Sequence, residues 1–168
     1  MTFEPKQLSA AALPRAIERA EHYRLLNEPW AAESICLDIL AVDPAHQQAL
    51  KVLLLARCDQ FAHDTGGAVQ RAKDAIALLT SEYERAYYGG LILERRAKAR
   101  LDQRAPGAGF VAYEWLREAM QWYEKAEALR PAGNDDALLR WNTCARMLNE
   151  RADIVPRGEE GGGHTLGE

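Results

Sequence analysis

The chain has 168 residues, of which 48% are hydrophobic, and this fits a single domain with one core. Its formal net charge is -4 with both signs spread along the length, so it lacks the basic stripe that binding to nucleic acid requires. The apolar runs at 53–56 and 91–93 are far shorter than the roughly 20 residues that cross a bilayer. The N-terminus lacks the basic and apolar regions of a secretory signal. We therefore expect a cytoplasmic protein that neither binds nucleic acid nor inserts into a membrane.

Helical spacing of apolar residues runs through almost the whole chain, and no segment alternates as a half-buried strand would. This pattern predicts an all-α protein. Pro44 and Pro131 give the clearest signals for the end of a helix, because proline lacks a backbone hydrogen-bond donor. Pro29 is instead suited to the first turn of a helix. The predicted helices span 9–27, 30–42, 45–62, 67–79, 82–103, 110–129 and 134–152.

The two ends of the chain are predicted to lie outside the helical domain, which we place at 9–154. Residues 1–8 form an N-terminal extension. The last helix has a clear start, because Asn134, Asp135 and Asp136 supply a cap oxygen and negative charge near the positive end of the helix dipole. Residues 155–168 are rich in glycine and poor in apolar side chains, which predicts a flexible tail.

Two segments that end in proline have matching small residues. Ala32 lies 12 residues before Pro44, and Ala119 lies 12 residues before Pro131. Because paired helices approach closely only where one of them presents a small side chain, these alanines are expected to be packing residues. The same role is predicted for Ala20, Gly89 and Ala126.

Residues 13–46 contain Ala20 and Tyr23, then Ala32 and Cys36, then Pro44. In these positions the chain resembles the tetratricopeptide repeat family, whose pattern is Trp-x2-Leu-Gly-x2-Tyr, then Ala-x3-Phe, then Pro. The resemblance implies a right-handed α-solenoid of about three helix pairs followed by a C-terminal capping helix. A helical bundle without true repeats is the alternative.

Later units follow the same frame less regularly. In the second unit, 47–80, Ala68, Ala72 and Ala75 occupy the small positions of the second helix. The third unit begins near residue 82, and its second helix comes about 18 residues later than a regular 34-residue period would place it. We assign this extra length to a longer first helix, a glycine-containing turn and an early start of the next helix.

Side chains that could carry chemistry are scattered. The three cysteines, Cys36, Cys58 and Cys144, are odd in number and lie among apolar neighbours, as reduced core thiols do. The histidines do not stand at metal-ligand spacing, and Cys58 near His63 has no third orienting group. We therefore expect no enzyme activity, cofactor or metal. The four histidines are His22, His46, His63 and His164.

The family resemblance implies that the first helix of each pair lines a concave groove for a peptide or partner protein. Tyrosines there would favour an apolar or aromatic anchor on the ligand, although two of them could instead pack between helices. The groove-facing positions predicted to bind a partner are Arg24, Lys51, Leu55, Tyr83, Tyr87 and Arg140. The frame also assigns Glu21, Cys58, Ala86 and Gly90 to this face.

Phe110 and Trp115 form a second candidate surface, because aromatic residues occupy more than one face of the helix after the insertion. The leading prediction is an adaptor that holds a peptide or partner protein in its groove. One alternative is a structural subunit that self-associates through the aromatic region 110–123. Another is an accessory subunit of an enzyme complex.

Overall fold

The computed structural model describes residues 2–63 and 66–158. Within these ranges all regular secondary structure is helical, which confirms the all-α prediction. His164, the turn at 64–65 and residues 159–168 of the predicted tail lie outside the described residues. The α-helices are α1 (Leu13–Leu25), α2 (Pro29–Val42), α3 (Gln47–Cys58), α4 (Ala68–Ala77), α5 (Glu82–Asp102), α6 (Ala108–Leu129) and α7 (Asp136–Glu150), with short 3-10 turns at Ala10–Ala12 and Phe61–His63.

Local residue chemistry explains where several helices begin. Pro29 is the first residue of α2, as its fixed φ favours. His46 caps α3, because its Nδ1 accepts a hydrogen bond from the Ala49 amide at 3.1 Å. Ser81 Oγ accepts from the Glu84 amide at 3.2 Å and caps α5. These side chains satisfy backbone donors that have no partner inside the helix.

The start of α7 has the expected oxygen acceptor, which belongs to the residue before the N-cap, because the N-cap residue Asp135 makes no side-chain cap hydrogen bond. Asn134 Oδ1 accepts a hydrogen bond from the Asp136 amide at 3.0 Å, and Asp136 places a carboxylate in the first turn. Gly107 precedes α6 with a φ of 72°, a left-handed conformation that glycine adopts without strain. The turn before α6 therefore depends on glycine, as the insertion in the sequence suggested.

α5 and α6 are the long helices of the fold, with 21 and 22 residues, whereas α1 to α4 have between 10 and 14. The long helices predicted after residue 82 are therefore present, and they form one helical hairpin with no further α-helix between them. Among the described residues, this hairpin is the helix pair with the most extensive contact.

Each α-helix packs against the next one in chain order. The apolar residues form three clusters that follow one another along the chain: the first joins α1, α2 and α3, the second joins α3, α4 and α5, and the third joins α5, α6 and α7. Ile154, just after α7, is buried in the third cluster, so the folded region extends at least to the predicted domain end at 154.

The predicted packing alanines are fully buried, which agrees with their assigned role. They are Ala20, Ala32, Ala119 and Ala126. Cys58, Ala86 and Gly90 are also buried, which corrects their assignment to the groove face. The reason is that the sides of α3 and α5 on which they lie are covered by neighbouring helices.

No α-helix within 2–63 and 66–158 combines the length and the apolar character that a bilayer crossing needs.

Candidate functional site

Four of the predicted groove positions line one depression of about 440 Å³ between α1, α3 and α5. They are Glu21, Arg24, Lys51 and Leu55, and Tyr88 from α5 also lines the depression. Lys51 Nζ lies 2.9 Å from Glu84 Oε1, so an ion pair joins α3 to α5 at its edge. Each of the four predicted side chains is half-buried.

Asp59, at the end of α3, forms ion pairs with two arginines from neighbouring helices. Arg24 Nε lies 2.7 Å from Asp59 Oδ2, and Arg95 Nη1 lies 3.3 Å from Asp59 Oδ1. The Asp59 side chain is 18% exposed, so solvent reaches this group. One carboxylate and two guanidinium groups leave a local charge of +1 on the surface that joins α1, α3 and α5.

A row of three tyrosines on α5 continues the surface toward α7. The rings of Tyr83 and Tyr87 are stacked with centroids 5.9 Å apart, and Tyr88 meets Tyr87 edge-on at 5.1 Å. Tyr83 Oη donates to Asn134 Oδ1 at 3.3 Å, just before α7. Burial raises the pKa of Tyr88. The row is half-buried, so the rings both pack and present surface to solvent.

Glu94 forms a second ionic centre, and it is fully buried. Its Oε2 accepts a hydrogen bond from Tyr123 Oη at 2.7 Å, and its Oε1 accepts bonds from Lys98 and from Arg140. Burial by itself raises the pKa of Glu94, but the hydrogen bonds from Lys98 and Tyr123 and the two positive charges outweigh burial and hold it below its usual value. Glu94 therefore joins α5, α6 and α7 as a carboxylate.

Arg140, a predicted groove residue, links this centre to the tyrosine row. Its guanidinium lies 3.3 Å from Glu94 Oε1, and the nearby Tyr87 is one of the groups that raise the pKa of Arg140 against the effect of burial. Shared contacts thus link the six groove residues predicted from the sequence from α1 to α7, and we call this half-buried row the inner groove. We define it by Arg24, Lys51, Leu55, Tyr83, Tyr87, Tyr88, Arg95, Lys98 and Arg140, with Asp59, Glu84 and Glu94 as their carboxylate partners and Glu21 beside Arg24.

Arg95 and Lys98 were not among the predicted site residues. Arg95 stands seven residues after Tyr88, and Lys98 stands eleven residues after Tyr87, so both lie on the side of α5 that carries the tyrosines. Continuing the tyrosine positions by two or three further turns along this long helix would have found both. Lys98 pairs with Glu94, four residues before it on the same helix. Arg95 pairs with Asp59, at the end of α3, and the sequence does not reveal this contact between distant residues.

The predicted aromatic surface is partly covered by the protein itself. Trp115 on α6 carries the Arg96 guanidinium over its ring, 4.0 Å from the centroid. Both Trp115 and Phe110 are half-buried, and Trp115 packs against the third cluster. The structure therefore does not bring them together with the inner groove residues.

The larger opening in the structure was not predicted from the sequence. It has a volume of about 680 Å³, lies between α4 and α6, and has one side of α5 as its floor. We call this opening the outer cleft. Its apolar lining includes Ile76, Ile92, Leu93, Trp122 and Leu129.

The cysteines and the potential metal ligands were also located in the structure. Burial raises the pKa of the thiols of Cys36, Cys58 and Cys144 to about 12, which keeps them protonated near neutral pH. All three are free and buried, as predicted. Within 2–63 and 66–158, no group of three His, Cys, Asp or Glu side chains is placed to hold a metal ion.

Comparison of the chain with protein-family models, curated proteins and solved structures finds no match.

Proposed function

We propose that this chain is a protein-interaction module that binds a peptide segment of a partner protein in the inner groove. The observation that carries the proposal is the half-buried row of linked side chains from Arg24 to Arg140, with three tyrosines at its centre. Rigid aromatic side chains contribute much of the energy of protein interfaces, because they bury large areas with little loss of conformational entropy.

The packing of the helices supports an open, repeat-like arrangement as the basis of this groove. Helices contact their chain neighbours in order, and the apolar residues form three successive clusters. Helix pairs stacked in a row bury their cores in this way, whereas a closed bundle brings its apolar faces to one common centre. A solenoid of tetratricopeptide type is the architecture that we propose on these grounds.

The charges in the groove favour an acidic partner. Asp59 is shared by two arginines, and Glu94 is shared by Lys98 and Arg140, so each centre carries an excess positive charge. The protein as a whole has a net charge of -4. A local excess of cations on an acidic protein attracts carboxylate groups and disfavours basic segments.

Selection from a phage-displayed library of random peptides tests this function. We expect the enriched peptides to combine Asp or Glu with one aromatic or aliphatic anchor. Their affinity, measured by fluorescence anisotropy, should weaken about tenfold in Tyr87→Ala, since a central aromatic anchor contributes on the order of 1–2 kcal/mol. Raising the salt concentration should weaken it further, because exposed ion pairs are screened.

Trp30→Ala is the matched control, because Trp30 is an aromatic residue that is 75% exposed and lies away from the groove on α2. Circular dichroism of both variants establishes that the fold is retained. Equal affinity of the enriched peptides for wild type and Tyr87→Ala, or enrichment of basic peptides, would contradict the proposal.

A further inference from the structure

We propose that the outer cleft is a second docking site, which binds an acidic amphipathic helix of a partner protein. The cleft lies on the side of α5 opposite the inner groove: Gly89 in its floor follows Tyr87 by two residues, a rotation of about 200° around the helix. The two sites can therefore be occupied at the same time, and the second one does not depend on the first.

The dimensions of the cleft match those of a short helix. Its lining extends from Glu82 to Leu93 on α5 and from Glu118 to Leu129 on α6, which is about 17 Å along each helix at 1.5 Å per residue. That length accommodates about three helical turns. The wall formed by α6 extends over the whole length of the cleft. The wall formed by α4 is shorter, because α4 ends at Ala77 and lines the cleft only with Lys73 and Ile76.

The floor is shaped by a close contact between glycine and tryptophan. A Cβ on Gly89 would lie 3.3 Å from the Trp122 ring, so the missing side chain lets the indole lie against α5. Trp122 is half-buried, and the exposed Leu78 and Leu129 stand at the ends of the two walls. An apolar surface with an aromatic side chain at its centre is what the apolar face of an amphipathic helix binds.

The rim provides the charge complementarity. Lys73 on α4 and Lys125 on α6 are exposed on opposite walls, and within the described residues neither ammonium group makes an ion pair. Lys125 Nζ lies 5.1 Å from the Trp122 ring. Two free cations that flank an apolar floor favour a helix with apolar residues on one face and carboxylates beside them.

The other charged groups of the rim do not cancel these lysines. Arg85 donates hydrogen bonds to the carbonyls of Leu79 and Thr80, and its guanidinium lies 4.0 Å from Glu82, which it offsets. Glu118 lies seven residues before Lys125, about 10 Å away along α6. The charged residues of the lining are Lys73, Arg85 and Lys125 against Glu82 and Glu118, so the lining keeps one net positive charge.

The test uses two synthetic fluorescein-labelled peptides that form three-turn helices with leucines at i, i+3, i+4 and i+7. One carries glutamates beside the leucine face, and the other carries lysines at the same positions. We expect wild type to bind the glutamate peptide about tenfold more tightly in fluorescence anisotropy. The Lys73→Glu, Lys125→Glu double variant should reverse this preference, because both lysines are exposed and their replacement leaves the core intact.

Arg19→Glu with Arg146→Glu is the matched control, since it changes the net charge by the same amount at exposed positions on α1 and α7. This control should keep the wild-type preference, as should Tyr87→Ala. The inference is wrong if the two peptides bind equally, if the control reverses the preference as well, or if a scrambled glutamate peptide without the apolar face binds as tightly.

Two results would assign the binding elsewhere and overturn the inference. Loss of binding in Tyr87→Ala but not in the lysine variant would place the peptide in the inner groove and leave the proposed function standing. Dimerisation of wild type in analytical ultracentrifugation, abolished by the lysine variant, would make a second copy of the chain the occupant of the cleft.

Discussion

Asp59 and Glu94 illustrate two uses of the same chemical arrangement. Each carboxylate is bound by two cations. Those of Asp59 come from α1 and α5, whereas those of Glu94 are Lys98 on its own helix and Arg140 on α7. The Asp59 side chain is 18% exposed, whereas Glu94 is completely buried and also accepts a hydrogen bond from Tyr123. Ion pairs that solvent reaches contribute little to stability and can exchange partners, while a buried carboxylate depends on every hydrogen bond that it accepts. In the proposed function, the solvent-accessible Asp59 centre would meet the ligand, whereas the buried Glu94 centre holds α5, α6 and α7 together.

Truncation of the two carboxylates should give the largest difference in the free energy of unfolding between these centres. Glu94→Ala leaves a cavity and a buried Tyr123 hydroxyl without its acceptor, so we expect the free energy of unfolding to fall by about 2–4 kcal/mol. Asp59→Ala, the matched substitution in a partly exposed pair, should lower it by about 1 kcal/mol or less. Urea unfolding measures both values. Similar losses in the two variants would mean that burial does not distinguish the centres.

The adjacent glycines of α5 test the helix packing around Glu94. A Cβ on Gly90 would lie 2.8 Å from the Tyr123 ring and 3.0 Å from the Ala119 carbonyl oxygen, so Gly90→Ala should destabilise the protein by about 1–3 kcal/mol. Gly89→Ala brings a looser contact with Trp122 at 3.3 Å, and the better helix propensity of alanine, worth about 1 kcal/mol, offsets it. Thermal unfolding of the two variants should therefore show a clear loss for Gly90→Ala and a change near zero for Gly89→Ala.

Acidification should weaken the Glu94 centre without removing its side chain. Because the folded-state pKa of Glu94 lies below its usual value of 4.5, the ionised carboxylate stabilises the folded protein above that pH, and this contribution is lost as the pH falls through the lower folded pKa. Urea unfolding of wild type and Glu94→Gln from about pH 7 into this acidic range measures the effect. The stability difference between them should shrink as the pH falls, and a difference that stays constant would contradict an ionised Glu94.

The helices of this protein were predictable because their signals are local. Turn residues such as Pro29 and Pro44, and the cap at Asn134, act within a few positions of where they stand. The observed bounds differ from the predicted ones by a few residues, most of all at α1 and α3, whose predicted ranges included adjoining 3-10 turns. The inner groove was partly predictable for a similar reason, since residues on one side of a helix recur at a fixed spacing.

The partners of those residues were not predictable. No pattern along the chain indicates that Asp59 meets Arg95, 36 positions away, or that Tyr123 donates to Glu94. The same is true of Cys58, Ala86 and Gly90, which share helix sides with groove residues but are covered by a neighbouring helix. The part of a helix side that remains accessible to solvent depends on how far the neighbouring helix extends. The extent of that cover is set by the tertiary packing and cannot be read from the sequence.

The amino-acid sequence by itself determined the helices, their order, the extra length of the α5–α6 hairpin and the small residues at the helix contacts. Periodicity, turn chemistry and side-chain volume are properties of neighbouring residues, so they act before any distant contact forms. Only the tertiary structure decided that Glu94 is a buried carboxylate with three donors and that α4 and α6 leave an apolar cleft between them. Both features arise from distances between helices that are remote in the chain, and those distances are set when the packed helices fill their common volume.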